Sequence, residues 1–131
     1  MIIEYPADEF VFLFEFIDEA REHLTGIEDN LLKLEAEPKN CLLIESIYRP
    51  LHSIKGMSGF VSMNNIKHLC HESEDLIDCV RTGKLEIDSK IIDTLIRVID
   101  RLNKMLKIIA ESAEKFRNEK LEKYAVEFQE I

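Results

Sequence analysis

His52, Lys55, Gly56 and Gly59 lie at i, i+3, i+4 and i+7 in the stretch Arg49-Pro50-Leu51-His52-Ser53-Ile54-Lys55-Gly56-Met57-Ser58-Gly59-Phe60. At about 100° per residue, an α-helix brings all four onto one narrow stripe. The stripe offers a nucleophilic imidazole, a fixed positive charge one turn on, and two places with no side chain. Glycine inside a helix costs about 1 kcal/mol relative to alanine, and local rules of this kind are broken where function demands it. Such a surface lets a second protein bring an acidic, phosphate-bearing site close to one histidine.

A second group follows at His71 and Glu74, three residues apart and therefore neighbours on a helix face. Glu74 falls at the border of an apolar stripe, from where it can reach a neighbouring helix. A carboxylate that accepts Nδ1–H from an imidazole fixes the tautomer and leaves Nε2 as the nucleophile. It also stabilises the positive charge that grows on the ring during attack. Lys55 offsets the negative charge of a phosphoryl group. A lone histidine is more often a hydrogen-bonded core residue, but His52 points roughly 130° away from the apolar centre of its helix. For His71 and Glu74 the bland alternative is a solvated helix face.

These residues need long helices to hold them. Phe10, Leu13, Ile17, Ala20, Leu24, Ile27, Leu31 and Leu34 recur at spacings of three and four, predicting a first helix over about residues 8–34. Glu37-Pro38-Lys39-Asn40 turns the chain. A second helix over about 41–61 buries Ile44, Ile47, Leu51, Ile54, Ser58 and Val61, with Pro50 inside it, where proline usually kinks a helix. Met63-Asn64-Asn65 makes a short turn with an asparagine cap. A third helix turns Ile66, Leu69, Cys70, Ser73, Leu76, Ile77 and Val80 inward and closes at Gly83. Asp88 caps a fourth, with Ile91, Ile92, Leu95, Val98, Ile99, Leu102, Leu106 and Ile109 inward. Residues 111–131 read as a weaker charged fifth helix carrying Phe116, Leu121, Tyr124 and Phe128, peripheral or opening a linker. The expectation is one all-α domain over residues 1–131: an antiparallel up-down four-helix bundle with an additional C-terminal fifth helix.

Composition narrows the function. The chain has 131 residues, 46% of them hydrophobic and 33% charged, enough for a single core. A net charge of −9 argues against nucleic acid, which needs a concentrated basic face. The apolar run at residues 10–14 is broken by Glu15 and Asp18, too short to span a membrane. It lacks the basic flank of a secretory signal. Three cysteines without a CxxC give no disulfide framework, and a reducing cytoplasm suits them. His68, Cys70, His71 and Cys79 do not converge as metal ligands, because Cys70 points inward while the histidines point outward. No phosphate-cradling glycine loop or Ser/His/Asp set is present, so neither a metal nor a cofactor is expected.

The run His52-Ser53-Ile54-Lys55-Gly56 resembles the His-x-x-Lys-Gly signature of the histidine-phosphotransfer (HPt) family, and the likeness extends over about residues 8–110. Phe16-Ile17-Asp18-Glu19-Ala20-Arg21-Glu22-His23-Leu24 and His71-Glu72-Ser73-Glu74-Asp75-Leu76 are similar to the branch found at the N-terminus of chemotaxis histidine kinases. The resemblance implies five helices around an up-down four-helix core and phosphorylation of His52 on Nε2. It also implies support from Lys55, His71 and Glu74, and partner docking over Gly56 and Gly59. The implied phosphoryl source is the ATP-binding domain of a histidine kinase, in cis or in trans, and the implied acceptor is an aspartate in a response-regulator receiver domain. The chain would then be a carrier with no catalysis of its own. Two departures stand out: Ser62 where many members have glycine, and Pro50 where alanine is common.

Two other classes compete. A non-catalytic helical adaptor that keeps the same fold would use exposed Phe12 and Phe16 as a partner surface and would need none of the four polar groups. A metal-binding bundle would depend on Cys70 or His68.

Overall fold

The structure is a computed structural model that describes the backbone of residues 10–130 and the side chains of residues 11–117. The described residues form four helices: α1 (Phe10–Ala36), α2 (Cys41–Phe60), α3 (Asn64–Arg81) and α4 (Ser89–Glu130). The expected helix start at Asp8 lies outside the described residues, as do the side chains of Leu121, Tyr124 and Phe128.

Local chemistry sets the helix ends. Asn40 Oδ1 accepts from the backbone N–H groups of Leu42 (3.1 Å) and Leu43 (3.3 Å), satisfying two donors that the first turn of α2 leaves free. Asp88 does the same for α4 through Ile91 N–H at 2.8 Å. The expected asparagine cap on α3 is absent: Met63 holds the cap position and gives no side-chain bond. The turn before α3 is instead closed by the backbone, with Met63 N–H donating to Ser58 O at 2.8 Å and Ser62 N–H to Gly59 O at 3.4 Å. That pairing is a Schellman helix end, and it puts Ser62 at φ +60°. The end of α3 repeats it, with Lys84 N–H donating to Cys79 O, Gly83 N–H to Val80 O, and Gly83 at φ +81°.

Short turns join successive helices, and each packs against two others: α1 on α2 and α4, α3 on α2 and α4. The result is an up-down four-helix bundle whose core follows the predicted stripes. Leu24, Ile27, Leu31 and Leu34 of α1, Ile47, Leu51 and Ile54 of α2, Ile66 and Ile77 of α3, and Leu95, Ile99 and Leu102 of α4 are all but closed to solvent. Burying each such side chain contributes about 1.5–3 kcal/mol. Ser58 and Ser73 are buried too, and their hydroxyls donate to the Lys55 and Leu69 carbonyls of their own helices.

Three expectations change. No separate fifth helix exists among the described residues, because α4 runs on for 42 residues. No proline or glycine occurs after Gly83, so nothing removes a backbone bond or frees the chain to turn. Phe16 is buried at 3% exposure, while Phe12 is half exposed, so the pair forms no joint surface. Pro50 does not interrupt α2, which is helical on both sides of it.

Candidate functional site

The inward stripe of α2 fixes where its polar face must go. With Ile47, Leu51 and Ile54 in the core, His52 turns outward and its side chain is 62% exposed. On α3, Cys70, Ser73 and Ile77 are buried and Glu74 sits among them at 6% exposure, so its carboxylate faces α2 rather than water. The two helices pack closely enough for Glu74 Oε1 to lie 2.8 Å from His52 Nδ1. Glu74 Oε2 lies 2.6 Å from Lys55 Nζ, in an ion pair rather than a well-directed hydrogen bond. One carboxylate therefore holds both polar members of the α2 stripe.

Burial by itself would raise the Glu74 carboxyl, but the close Lys55 ammonium and the hydrogen bond from His52 outweigh it. The group is held below the usual carboxylate range and stays ionised at neutral pH. An ionised carboxylate only accepts, so Nδ1 must carry the proton for this contact to form. That leaves the lone pair on Nε2.

Gly56 is exposed, and a Cβ built there meets no atom within 4 Å. The atoms nearest to a Cβ on Gly59 would be those of the flexible Lys67 side chain, from 3.5 Å. Neither glycine is required by helix packing, and their absent side chains leave the surface beside His52 low. Phe60, the last residue of α2, is 83% exposed at the end of this surface.

His71 lies elsewhere. Its side chain is 54% exposed, and its Nε2 is 3.6 Å from Asp75 Oδ2 on the same helix. The structure thus brings together His52, Lys55 and Glu74 and leaves His71 outside their hydrogen-bonded set. His68 is likewise paired along its own helix, with Glu72 at 3.1 Å. Among the described residues, no group of three or more His, Cys, Asp or Glu side chains is placed to hold a metal ion. No described helix is long and apolar enough to cross a membrane.

Two neighbours of the site were not foreseen. Tyr48 is one turn before His52, its ring 6.2 Å from the imidazole centroid and within 19° of parallel. The Arg81 guanidinium lies 4.0 Å above the Tyr48 ring. Arg81 in turn donates to Asp78 Oδ1 (2.7 and 3.0 Å) and to Glu45 Oε1 (3.2 Å). The i, i+4 spacing of Tyr48 and His52 was the available signal. Arg81 required knowing how α3 lies against α2.

Comparison with known proteins bears on this geometry. The chemotaxis protein CheA of Bacillus subtilis is 35% identical over 103 residues, which is 79% of this chain and 15% of that protein. The sensor histidine kinase CheAY of Helicobacter pylori is 33% identical over 106 residues, 81% of this chain and 13% of that protein. The chain thus spans about one seventh of the length of these curated relatives. Among solved structures, the CheA phosphotransferase domain from Thermotoga maritima superposes with a TM-score of 0.74 at 33% identity, covering 77% of this chain and 96% of that one. The phosphorylated P1 domain of CheA3 in complex with CheY6 from R. sphaeroides gives 0.73 at 27% identity, covering 79% and 80%. The profile of the Hpt domain family matches residues 11–112, a span that takes in α2 and α3 whole and with them His52, Lys55 and Glu74. The chain belongs to the Hpt domain family.

Proposed function

We propose that this chain is a phosphoryl carrier of a two-component relay serving chemotaxis. It accepts phosphate on His52 from the ATP-binding domain of a histidine kinase, in cis or in trans, and passes it to an aspartate of a response-regulator receiver domain. The observation that carries this reading is the 2.8 Å contact of His52 Nδ1 with buried Glu74 while the rest of the ring stays largely exposed. A hydrogen bond at Nδ1 commits the Nε2 lone pair to attack.

Attack by Nε2 on the γ-phosphorus of ATP forms the N–P bond as the bond to the β-phosphate oxygen breaks. ADP leaves with that electron pair. Positive charge grows on the ring and is balanced by Glu74 across the Nδ1–H bond. Lys55 is paired with Glu74 at rest and supplies a cation one turn from the new phosphoryl group. In the second step a receiver carboxylate attacks the same phosphorus, the N–P bond breaks, and the electron pair returns to Nε2. Gly56 and Gly59 give both partners room to approach. His71 pairs with Asp75 rather than with His52, so its part in the reading is to shape the neighbouring surface. The place of action is the cytoplasm, where ATP is available and three free thiols remain reduced.

The test is incubation with a chemotaxis-type kinase domain and ATP, mapping of the modified residue, and a chase with a receiver domain. The expected product is an acid-labile, base-stable phosphoramidate at His52 that the receiver discharges. No phosphate uptake would overturn the reading and leave a helical adaptor in its place, and uptake at His68 or His71 would overturn His52 as the carrier residue.

A further inference from the structure

Glu74 fixes one atom of the His52 ring and no more. A ring held only at Nδ1 still pivots about that hydrogen bond, and each pivot swings Nε2 away from an incoming phosphorus. Side-chain positioning to a fraction of an ångström governs rates of this kind. Something else must set the plane of the ring.

Tyr48 is placed to do so. Its ring lies within 19° of the imidazole plane at a centroid distance of 6.2 Å, inside the range in which stacked rings attract. Tyr48 is itself held. Arg81 covers its ring at 4.0 Å, a distance suited to a cation–π contact, and Arg81 is tied to Asp78 on α3 and Glu45 on α2. Burial first, and then the Glu74 carboxylate, pushes the Tyr48 hydroxyl pKa up, so the ring stays neutral. The contacts run unbroken from the end of α3 to the imidazole.

We infer that Tyr48 is a positioning residue for phosphoryl transfer: its ring sets the plane of the His52 imidazole, and Arg81 holds Tyr48 in place from α3. This inference rests on the carrier reading above. Phenylalanine at residue 48 keeps the stacked ring, whereas leucine keeps the apolar bulk and loses it.

The experiment uses phosphoramidate as the donor, which removes partner docking from the measurement. Nε2 forms its bond to phosphorus as the donor's P–N bond breaks and ammonia leaves. Wild type, Tyr48→Phe, Tyr48→Leu and Arg81→Gln are compared for His52 labelling rate, melting temperature and the His52 ring signals by NMR. Tyr48→Phe should label within about twofold of wild type, and Tyr48→Leu should slow on the order of tenfold. Arg81→Gln should fall between them. In Tyr48→Leu the imidazole proton shifts should move by the loss of the neighbouring ring current, with the fold intact. Folded Tyr48→Leu labelling as fast as wild type, or Tyr48→Phe as slow as Tyr48→Leu, would overturn the inference. If Tyr48→Leu does not fold, Arg81→Gln decides, and an unchanged rate there overturns it. Wild type that takes no label at His52 would instead overturn the carrier reading itself.

Discussion

Ser62 and Gly83 hold the same position in the same backbone motif, one closing α2 and the other α3. Both have positive φ, at +60° and +81°. Glycine adopts that conformation freely, whereas an L side chain there crowds the backbone at a cost of roughly 1–2 kcal/mol. Replacing Ser62 by glycine should therefore stabilise the bundle by about 0.5–1 kcal/mol after the added freedom of the unfolded chain is offset. Urea unfolding checks this as a higher midpoint with an unchanged slope. A lower midpoint would mean that the serine side chain supports the turn.

Glu74→Gln should impair both chemistry and fold. The amide loses the charge that balances the imidazole, so His52 phosphorylation should slow on the order of 10–100-fold. A solvated carboxylate could be lost at little cost to the fold, but Glu74 is buried and paired with Lys55. Neutralising it leaves the ammonium without its partner, at a cost of about 1–3 kcal/mol. Labelling kinetics and denaturant unfolding of one preparation measure both effects.

Acid should unlock the same contact. The Glu74 pKa is lowered in the folded chain from its ordinary value of 4.5. The unfolded chain therefore binds a proton there at a higher pH than the folded chain does. The stabilisation is fully present above the unfolded value and is lost as pH falls through the folded one. Below about pH 4.5 the stability of wild type should drop more steeply than that of Glu74→Gln, whose residue 74 does not titrate. Parallel pH profiles from thermal unfolding would count against the pairing.

The glycines should separate access from packing. Gly56→Ala and Gly59→Ala meet open space or a flexible lysine, so each should stabilise α2 by about 0.5–1 kcal/mol. Gly56→Leu should keep that stability yet sharply reduce transfer to a receiver domain, because its side chain occupies the approach to His52. Labelling of the same variant by phosphoramidate, which needs no such room, should change far less.

Cysteine reactivity should report the packing of α3. Cys41 is exposed, whereas Cys70 is buried and its pKa is pushed up to about 12, chiefly by burial and further by Glu74. Iodoacetamide should modify Cys41 in the native state and Cys70 only on opening of the bundle. Mass mapping over time distinguishes the two.

Much of this was legible in one sequence because α2 is so strongly patterned. Once Ile47, Leu51 and Ile54 define its buried side, His52 must face outward and Gly56 must lie beside it. Glu74 was legible only in part: the pattern put it at the border of the apolar stripe of α3, within reach of α2, but not in the buried position it takes. His71 shares its i, i+3 spacing with Glu74, but spacing fixes only the face. Its side chain turned to Asp75, a choice between neighbours that periodicity does not make. Tyr48 and Arg81 depend on how α2 and α3 are registered, which no single-helix pattern encodes. Past residue 110 the amphipathic signal of α4 fades, and a fading pattern resembles a boundary even where no residue breaks the helix.

Glu74 reaches from α3 to two residues of α2, so the state of the imidazole and the cohesion of the two helices are thermodynamically linked. On the carrier reading, a phosphoryl group on Nε2 would change the charge that Glu74 feels and with it the free energy of keeping α3 in place. By reciprocity, whatever loosens or tightens α3 alters the affinity of His52 for its load. The occupancy of a single nitrogen should then be readable in the amide-exchange rates of α3, a helix to which the nitrogen does not belong.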